Sequence, residues 1–444
     1  MSKNPQRSLT FNKLPILDKT LVVLIGFLPW SIFSGIFFGN VLHISGVNFI
    51  KELLLALLAM LVGWQYYQRK LTPKFDLIDM SALSFVVILT AISLFHGLSL
   101  GHYFYGGRYD FEWIFALILL KHAAPLLSWS YARFANILFW SGWVALALWI
   151  FIRFVVGVDV LLYFGYGANL SNWTLGWQVP IYHGVEGANV QRFQGIFDGP
   201  NPAWAFLLLY IPLYAAYFLP RKTYHYLASL GGIVLIITLL YTYSRSAVLG
   251  LIVALAIVGL YHSRTLFTKH RKTLLITGTI TSIIVVLSLV FFNERLSELI
   301  LRKSSTDGHA LRMTNGINSF LEHPLGQGLA TAWPAYRYVS SEGFTQNVEL
   351  QQGTNKKLED NKIPESWHIQ ILMEGGIFGF AAFAAFLLLI AYKLVKYDTF
   401  LFISWTAIAI MAIFLHIYEA TFVALLLAIL VGIKLWSPQL NQHK

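Results

Sequence analysis

The chain has 444 residues and a formal net charge of +11, and 57% of its residues are hydrophobic while only 12% are charged. This composition, with a mean hydropathy of +0.63, is typical of an integral membrane protein and excludes an ordinary soluble protein of two or three domains. The absence of cysteine excludes disulfides, thiolate nucleophiles and cysteine metal sites, and the scattered basic residues do not form the stripe that nucleic acid requires.

The first twenty residues are polar and basic, and the apolar run that follows them lacks a small-residue cleavage site. We therefore expect this run to be a membrane helix and not a removable signal peptide. Because roughly twenty apolar residues cross a bilayer, the sequence predicts an all-α membrane protein of about twelve transmembrane helices in one polytopic domain, 1–444. The predicted helices lie at 21–42, 47–66, 77–97, 111–130, 134–156, 202–220, 225–243, 246–262, 273–292, 367–392, 399–416 and 420–436.

Basic residues concentrate in alternate connections between these helices, as the positive-inside rule expects. The N-terminal segment, the 69–74 and 264–272 loops and the C-terminus all carry them. The sequence therefore predicts that both termini lie in the cytoplasm.

Two connections on the opposite side, at 157–201 and 293–366, are much longer than the others. Loops of that length in a compact fold are usually functional or disordered. In the second loop, apolar residues recur at helical spacing in 295–301 and 310–321, which predicts short helices on the membrane surface. The segment 353–362 has the composition of a mobile polar loop.

Arg245 lies in YTYSRSAVLG, a short interruption between two apolar segments on the same side as the long loops. An arginine there can simply extend to lipid head groups. Ser244 and Ser246 add hydroxyl donors on either side, and a guanidinium held at a helix junction is suited to binding phosphate in a bidentate manner. Taken alone, Arg245 fits both roles, contact with lipid head groups and binding of a substrate phosphate.

Two further arginines lie on this side, each with an alternative structural role. Arg192 is in QRFQGIFDGPNP, where it can anchor head groups while the glycines and prolines shape the turn into the next helix. Arg312 lies on a predicted surface helix and can bind lipid phosphates. The HPLGQG segment follows, and Gly326 and Gly328 either let backbone amides approach an anion or form a turn.

His368 lies in PESWHIQILMEGGIFGF, at the start of the tenth predicted span. Pro364 suits the first turn of a helix, which would place His368 about one turn inside and Glu365 on the same face, able to orient the imidazole. A histidine at an interface is also a common hydrogen-bonding residue, so the position alone does not decide its role.

Together, the three arginines and His368 are the residues that chemistry on a pyrophosphate requires. The arginines would neutralise a leaving pyrophosphate, and the histidine would take a proton from an attacking hydroxyl. The chain has no HExxH, P-loop, GxSxG or cysteine motif, so metal-independent chemistry on a lipid-linked substrate, without a cofactor, is the remaining prediction.

At these residues the chain resembles the bacterial O-antigen ligase and O-antigen polymerase superfamily. The resemblance rests on SRSAVLG, on R-x-x-G-x-x-x-x-P-N from Arg192 to Asn201, on Arg312 followed by HPLGQG, and on His368 followed by EGGIFG. It implies a glycosyltransferase of the bacterial inner membrane that acts on the periplasmic face and transfers a glycan, with inversion, from a polyprenyl-pyrophosphate carrier to a hydroxyl. It also implies that Arg245 and Arg312 bind the pyrophosphate and that His368 is the general base.

The sequence leaves several functions open. A ligase would transfer the glycan to a sugar of the lipid A core, whereas a polymerase would extend the lipid-linked chain, and both fit the same residues. A flippase for lipid-linked glycans is an alternative of another class, although such proteins usually need ionisable residues at the bilayer midplane. A purely structural membrane scaffold has no positive feature in its favour.

Overall fold

The computed structural model describes the chain over residues 10–44, 46–168, 179–181, 183–185, 188–218, 225–261, 303–339 and 363–435. Helices dominate these residues. The helices are α1 Ile16–Val41, α2 Val47–Gln68, α3 Leu77–Phe95, α4 Leu100–Gly106, α5 Glu112–Ala123, α6 Tyr131–Val156, α7 Pro200–Phe218, α8 His225–Tyr241, α9 Arg245–Tyr261, α10 Lys303–Glu322, α11 Tyr336–Val339, α12 Trp367–Tyr397, α13 Thr399–Met411 and α14 Thr421–Leu435.

The prediction of an all-α membrane protein is confirmed in its broad form. Helices occupy eleven of the twelve predicted segments, and the ninth, 273–292, lies outside the described residues. Within the described part of the chain, five helices (α1, α2, α3, α6 and α12) are long and apolar enough to cross a membrane. Four more are apolar but shorter, and α5 has only 12 residues because Pro125 follows directly in a 3-10 turn. The count of twelve spans therefore stays a prediction.

The helices pack in pairs, and α14 is buried along nearly its whole length from Phe422 to Leu435. A helix that is apolar on every side belongs in the interior of a bundle. α14 packs on α5, α13 packs on α7 and α9, and α12 packs on α3. At Gly250, in α9, an added Cβ would lie 2.5 Å from the Ala407 carbonyl oxygen of α13. This close approach between small residues is common between membrane helices and fixes the start of α9, which carries Arg245.

A charge cluster joins three helix ends at one end of the bundle. Asp76 caps the start of α3, and its carboxylate accepts hydrogen bonds of 2.7 Å from Lys121 at the end of α5 and 2.7 Å from Lys393 near the end of α12. Burial acts to raise the pKa of Asp76, but the hydrogen bonds from Lys121 and Lys393 outweigh it, so that this pKa lies below its ordinary value. Lys121 and Lys393, which are far apart in the sequence, thus meet at one carboxylate.

Both long loops contain ordered structure that the periodicity reveals only in part. The 157–201 loop carries a 3-10 segment, Val158–Phe164, and a two-stranded antiparallel ribbon, β1 Gly184–Val185 and β2 Ala188–Gln191, which the sequence analysis did not predict. In the 293–366 loop the predicted helix at 310–321 is confirmed and is longer, as α10. The segments 295–301 and 353–362 lie outside the described residues.

α12 is broken at Gly376, where φ is +59° and ψ is −164°. The turn that follows α10 inserts at this break. The amides of Gln327 and Gly328 donate to the carbonyls of Met373 and Glu374, each at 2.9 Å, and the Ile377 amide donates to Pro324 at 3.0 Å. The turn therefore supplies hydrogen-bond partners for the backbone amides and carbonyls that the break in α12 leaves unpaired. These hydrogen bonds connect α10 to α12.

We expect Gly376→Ala to lower the thermal unfolding temperature, measured by tryptophan fluorescence of the purified protein in detergent. The backbone conformation at this position is nearly exclusive to glycine and costs an L-residue about 1–3 kcal/mol. In addition, the Cβ would lie 2.3 Å from the Leu325 carbonyl carbon. Gly63→Ala is the matched control, because Gly63 is an exposed residue of α2 and an added Cβ meets no atom within 4 Å. Equal unfolding temperatures for the two variants would contradict the role of the break.

Candidate active site

A cavity of about 700 Å³ lies where the two long loops meet the helix bundle. Its walls come from the turn before α7, the α8–α9 turn, α10, the residues before α12 and the connection between α13 and α14. Arg192, Arg245 and Arg312 all line it. The structure therefore brings together three cations that are far apart in the sequence, in a volume within the range of small-ligand pockets.

The cavity also holds acidic and titratable side chains. They are Asp198, Glu365 and Glu419 with His183, His309 and His416. The formal charges of the three arginines and three carboxylates cancel while the histidines are neutral. A binding site for an anion here depends on how these charges are arranged.

Two helices, α7 and α9, begin at the cavity wall. Pro200 begins α7 and Arg245 begins α9, and both residues line the wall, while Glu365 lies two residues before the start of α12. A helix N-terminus presents unpaired amides and a partial positive charge, which favours an anion. The backbone thus adds positive potential to that of the side chains.

Ser244 and Ser246 lie on either side of Arg245, as their position in the sequence predicts. Both line the cavity, and their hydroxyl oxygens are 3.3 Å apart. Ser244 is buried and directly precedes α9, and Tyr243 before it has a positive φ of +52°. This tight turn between α8 and α9 holds the base of the arginine side chain in place.

Arg192 binds the protein on two sides. Its Nε donates to the Thr242 carbonyl at 2.9 Å, and one terminal nitrogen donates to Asn201 Oδ1 at 3.1 Å. The guanidinium therefore connects the end of the ribbon to the α8–α9 turn and to the start of α7. Its position supports a role in shaping the wall that carries Arg245.

Glu365 does not orient His368, and that interpretation is wrong. α12 begins at Trp367 with Ser366 as its N-cap, so Glu365 precedes the helix instead of sharing a helical face with His368. Its carboxylate pairs with Arg312 and with His309, three residues earlier on α10. Glu365 therefore links the start of α12 to the two polar residues of α10 that face the cavity.

His368 is not one of the residues that line the cavity. It lies in the first turn of α12, and its Nε2 is 3.0 Å from the Ala409 carbonyl oxygen, to which it donates. Of the last four carbonyls of α13, three accept hydrogen bonds from backbone amides that follow the helix. The fourth is the Ala409 carbonyl, so the His368 imidazole completes the C-terminal cap of α13. The role of His368 as general base stays a prediction, and the geometry supports a capping role.

The HPLGQG glycines form a turn, which is one of the two alternatives that the sequence left open. Gly326 and Gly328 have φ of +95° and +96°, and an added Cβ on Gly326 would lie 2.5 Å from the Glu374 carbonyl oxygen. Neither glycine lines the cavity. Their function is to let the turn reach the break in α12.

Several cavity residues were missed by the sequence analysis, although some left a signal. His309 precedes Arg312 by three residues and so shares its helical face. His416 is the last residue of the predicted span 399–416, and Glu419 directly precedes the next span, so both are ionisable groups at the ends of apolar spans. His183 gives no comparable signal, since it lies in a long loop without periodicity. In the part of the chain that the structure describes, no group of three or more metal-binding side chains is placed to hold a metal ion.

The fold and the cavity define a polytopic α-helical membrane protein with an arginine-lined site. Residues 230–384 match the family described as O-antigen ligase, which confirms the resemblance to the O-antigen ligase and polymerase superfamily. This match supports glycosyltransferase activity of the ligase or polymerase kind in broad terms, with lipid-linked glycans as substrates. It covers Arg245, Arg312, Glu365 and His368. No curated protein matches the chain significantly.

We expect His368→Leu to destabilise the protein and His368→Gln to be tolerated. Leucine leaves the Ala409 carbonyl without its donor, at a cost of about 1–3 kcal/mol, whereas the glutamine amide can donate to it. The measurement is the unfolding temperature in detergent, with wild-type protein alongside. An unchanged unfolding temperature for His368→Leu would argue against the capping role.

Proposed function

We propose that this protein is a membrane glycosyltransferase that moves a glycan from a polyprenyl-pyrophosphate carrier to an acceptor hydroxyl. The observation that carries the proposal is the convergence of Arg192, Arg245 and Arg312 on one cavity. The family match over 230–384 supports the reaction class.

The pyrophosphate of the donor would bind between α9 and α10. Arg245 offers a guanidinium at a helix N-terminus, where the helix dipole adds to the attraction. Arg312 is held by Glu365, so an incoming phosphate would replace this carboxylate as its partner. Arg192 would act on the donor mainly by fixing the wall that carries Arg245.

The reaction needs charge stabilisation at the leaving group. The acceptor oxygen would attack the anomeric carbon from the face opposite the pyrophosphate, and the bond from that carbon to the pyrophosphate oxygen would break with inversion. Negative charge then grows on the pyrophosphate, where preorganised arginines lower the barrier. This scheme uses no metal or other cofactor.

The site would lie on the periplasmic face of the bacterial inner membrane. The residues just before α12 line the cavity, and α12 runs from there to Lys393 in the charge cluster with Asp76 and Lys121, so the two sites lie at opposite ends of the bundle. Because lysines favour the cytoplasmic side, the cavity faces the periplasm in this arrangement, with both termini in the cytoplasm. Apolar side chains exposed on the long helices, such as Leu53 and Leu388, would contact membrane lipids.

We expect Arg245→Lys to abolish transfer while the protein stays folded and inserted. Lysine keeps the charge but not the forked geometry that binds two phosphate oxygens. Loss of about 100-fold or more in transfer rate is expected, measured with purified protein and a polyprenyl-pyrophosphate-linked oligosaccharide. The control is Arg69→Lys, since Arg69 is exposed at the end of α2. Transfer at the wild-type rate in Arg245→Lys would exclude the proposed site.

The preferred acceptor is a sugar of the lipid A core, as in an O-antigen ligase. Deletion of the gene should then remove O-antigen from the lipid A core entirely on a lipopolysaccharide gel. A single attached repeat unit would identify a polymerase instead. Unchanged lipopolysaccharide after the deletion would count against both.

A further inference from the structure

A second cavity, of about 800 Å³, shares no lining residue with the arginine-lined cavity. Its walls come from the start of α6, the second half of α7, the start of α13 and α14. Asp398 lines it and directly follows α12, whose Lys393 binds Asp76. The second cavity therefore lies at the end of the bundle that carries the charge cluster, away from the candidate active site.

One part of the second cavity is polar and aromatic. Arg133 and Asn136 line it from the first two turns of α6, and their spacing of three residues puts them on the same helical face. Trp129 and Tyr131 line it where α6 begins. Aromatic side chains of this kind are typical of the level of the lipid head groups, so this part of the cavity lies where a membrane-spanning α6 reaches the interface.

The protein holds this polar part in place. The Asp18 carboxylate of α1 accepts hydrogen bonds from the backbone amides of Ser128 and Trp129, at 2.9 and 3.0 Å. The guanidinium carbon of Arg133 lies 5.5 Å from the centroid of the Trp129 ring, a distance typical of a cation–π contact. This contact restrains the guanidinium without occupying its hydrogen-bond donors.

Arg133 brings a positive charge that the described residues do not neutralise. Within the ranges that the structure describes, its guanidinium has no carboxylate partner and makes no hydrogen bond. Asp398 is the acidic residue among those lining the second cavity, and it is already engaged. It pairs with Lys434 at 3.2 Å and accepts a hydrogen bond of 3.0 Å from the Leu401 amide. The charge available to a ligand is therefore positive.

The remainder of the second cavity is apolar. Leu209 and Leu213 of α7, Leu401 of α13 and Leu430 of α14 line it. Ser404, also in the wall, donates to the Leu209 carbonyl at 3.4 Å, so this part lies where α13 packs on α7. A free phosphate would pair with the arginine and leave these leucines uncovered, whereas an acyl chain would bury them.

The terminal segments of the chain do not have the charge that Arg133 requires. The first nine residues contain two basic side chains and no acidic one, and residues 436–444 contain no aspartate or glutamate. A negatively charged lipid complements both the arginine and the apolar wall.

We propose that the second cavity binds an anionic phospholipid. The lipid phosphate accepts hydrogen bonds from the Arg133 guanidinium, and the Asn136 amide is a further donor. The upper part of an acyl chain lies between α7 and α13. Basic pockets between transmembrane helices bind anionic head groups in this way on the cytoplasmic side. This binding is separate from glycan transfer, because it uses no residue of the arginine-lined cavity.

The experiment is a lipid titration of the purified full-length protein in detergent, with bound lipid counted by native mass spectrometry. The probes are phosphatidylglycerol and phosphatidylcholine with the same acyl chains. We expect the first phosphatidylglycerol to bind about fivefold or more tightly than the first phosphatidylcholine, because the choline cation offsets the attraction of the phosphate to an arginine.

Arg133→Gln should remove the preference for phosphatidylglycerol, since the neutral amide has no charge to pair with the phosphate. Arg69→Gln is the matched control, because Arg69 is exposed at the end of α2 and does not line the second cavity. Arg69→Gln should keep the wild-type preference.

Ala216→Trp tests the apolar part without changing a charge. Ala216 lines the second cavity from α7, and an indole there would take up space that the acyl chain needs. The affinity for phosphatidylglycerol should fall to that of Arg133→Gln or below it. Ala56→Trp, on an exposed position of α2, is the control and should bind as the wild type does.

Equal affinities of the wild type for the two lipids would overturn the proposal. An unchanged preference in Arg133→Gln, or an equal loss in Arg69→Gln, would do the same, as would wild-type binding by Ala216→Trp. Unfolding temperatures of the variants without added lipid should lie within about 2 °C of the wild type, which shows that lost binding is not lost folding. If Ala216→Trp unfolds earlier, the comparison of Arg133→Gln with Arg69→Gln decides.

Discussion

The break in α12 is the constraint on which the site depends. A helix interrupted within a membrane bundle leaves amides and carbonyls that water cannot reach, and each unpaired group costs several kcal/mol. Amides of the turn after α10 donate hydrogen bonds to the carbonyls of Met373 and Glu374, so the turn is held at the break in α12. That contact positions α10 against the start of α12, which is why Arg312 meets Glu365 at the cavity.

The charges in the cavity are balanced, because its arginines are matched by carboxylates. Arginines and carboxylates are equal in number among the residues that line the cavity, so the site avoids the repulsion that three adjacent guanidinium groups would suffer. Glu365 holds Arg312 through an ion pair at the cavity wall. The N-termini of α7 and α9 add a positive potential that does not move with the side chains, and such a potential favours an anion.

The opposite end of the bundle uses charge for a different purpose. There Asp76 joins the ends of α3, α5 and α12 through Lys121, which is buried, and Lys393, which is half-buried. Removing the Asp76 carboxylate would take a partner from the buried Lys121, which makes the arrangement specific even where its net contribution to stability is small. α12 spans both ends and therefore connects the anchor to the site.

The sequence by itself determined the membrane class, the positions of most helices and the side chains that could hold a phosphate. Apolar runs and flanking charges are local properties, so Arg245, at the junction of two runs, was recognised with its serines. Tertiary packing alone decided which polar groups face the cavity. His368 turned toward Ala409, Glu365 toward Arg312 and His183 into the cavity, because a side chain's direction depends on helix breaks, caps and neighbouring chains that have no periodic signature in the sequence.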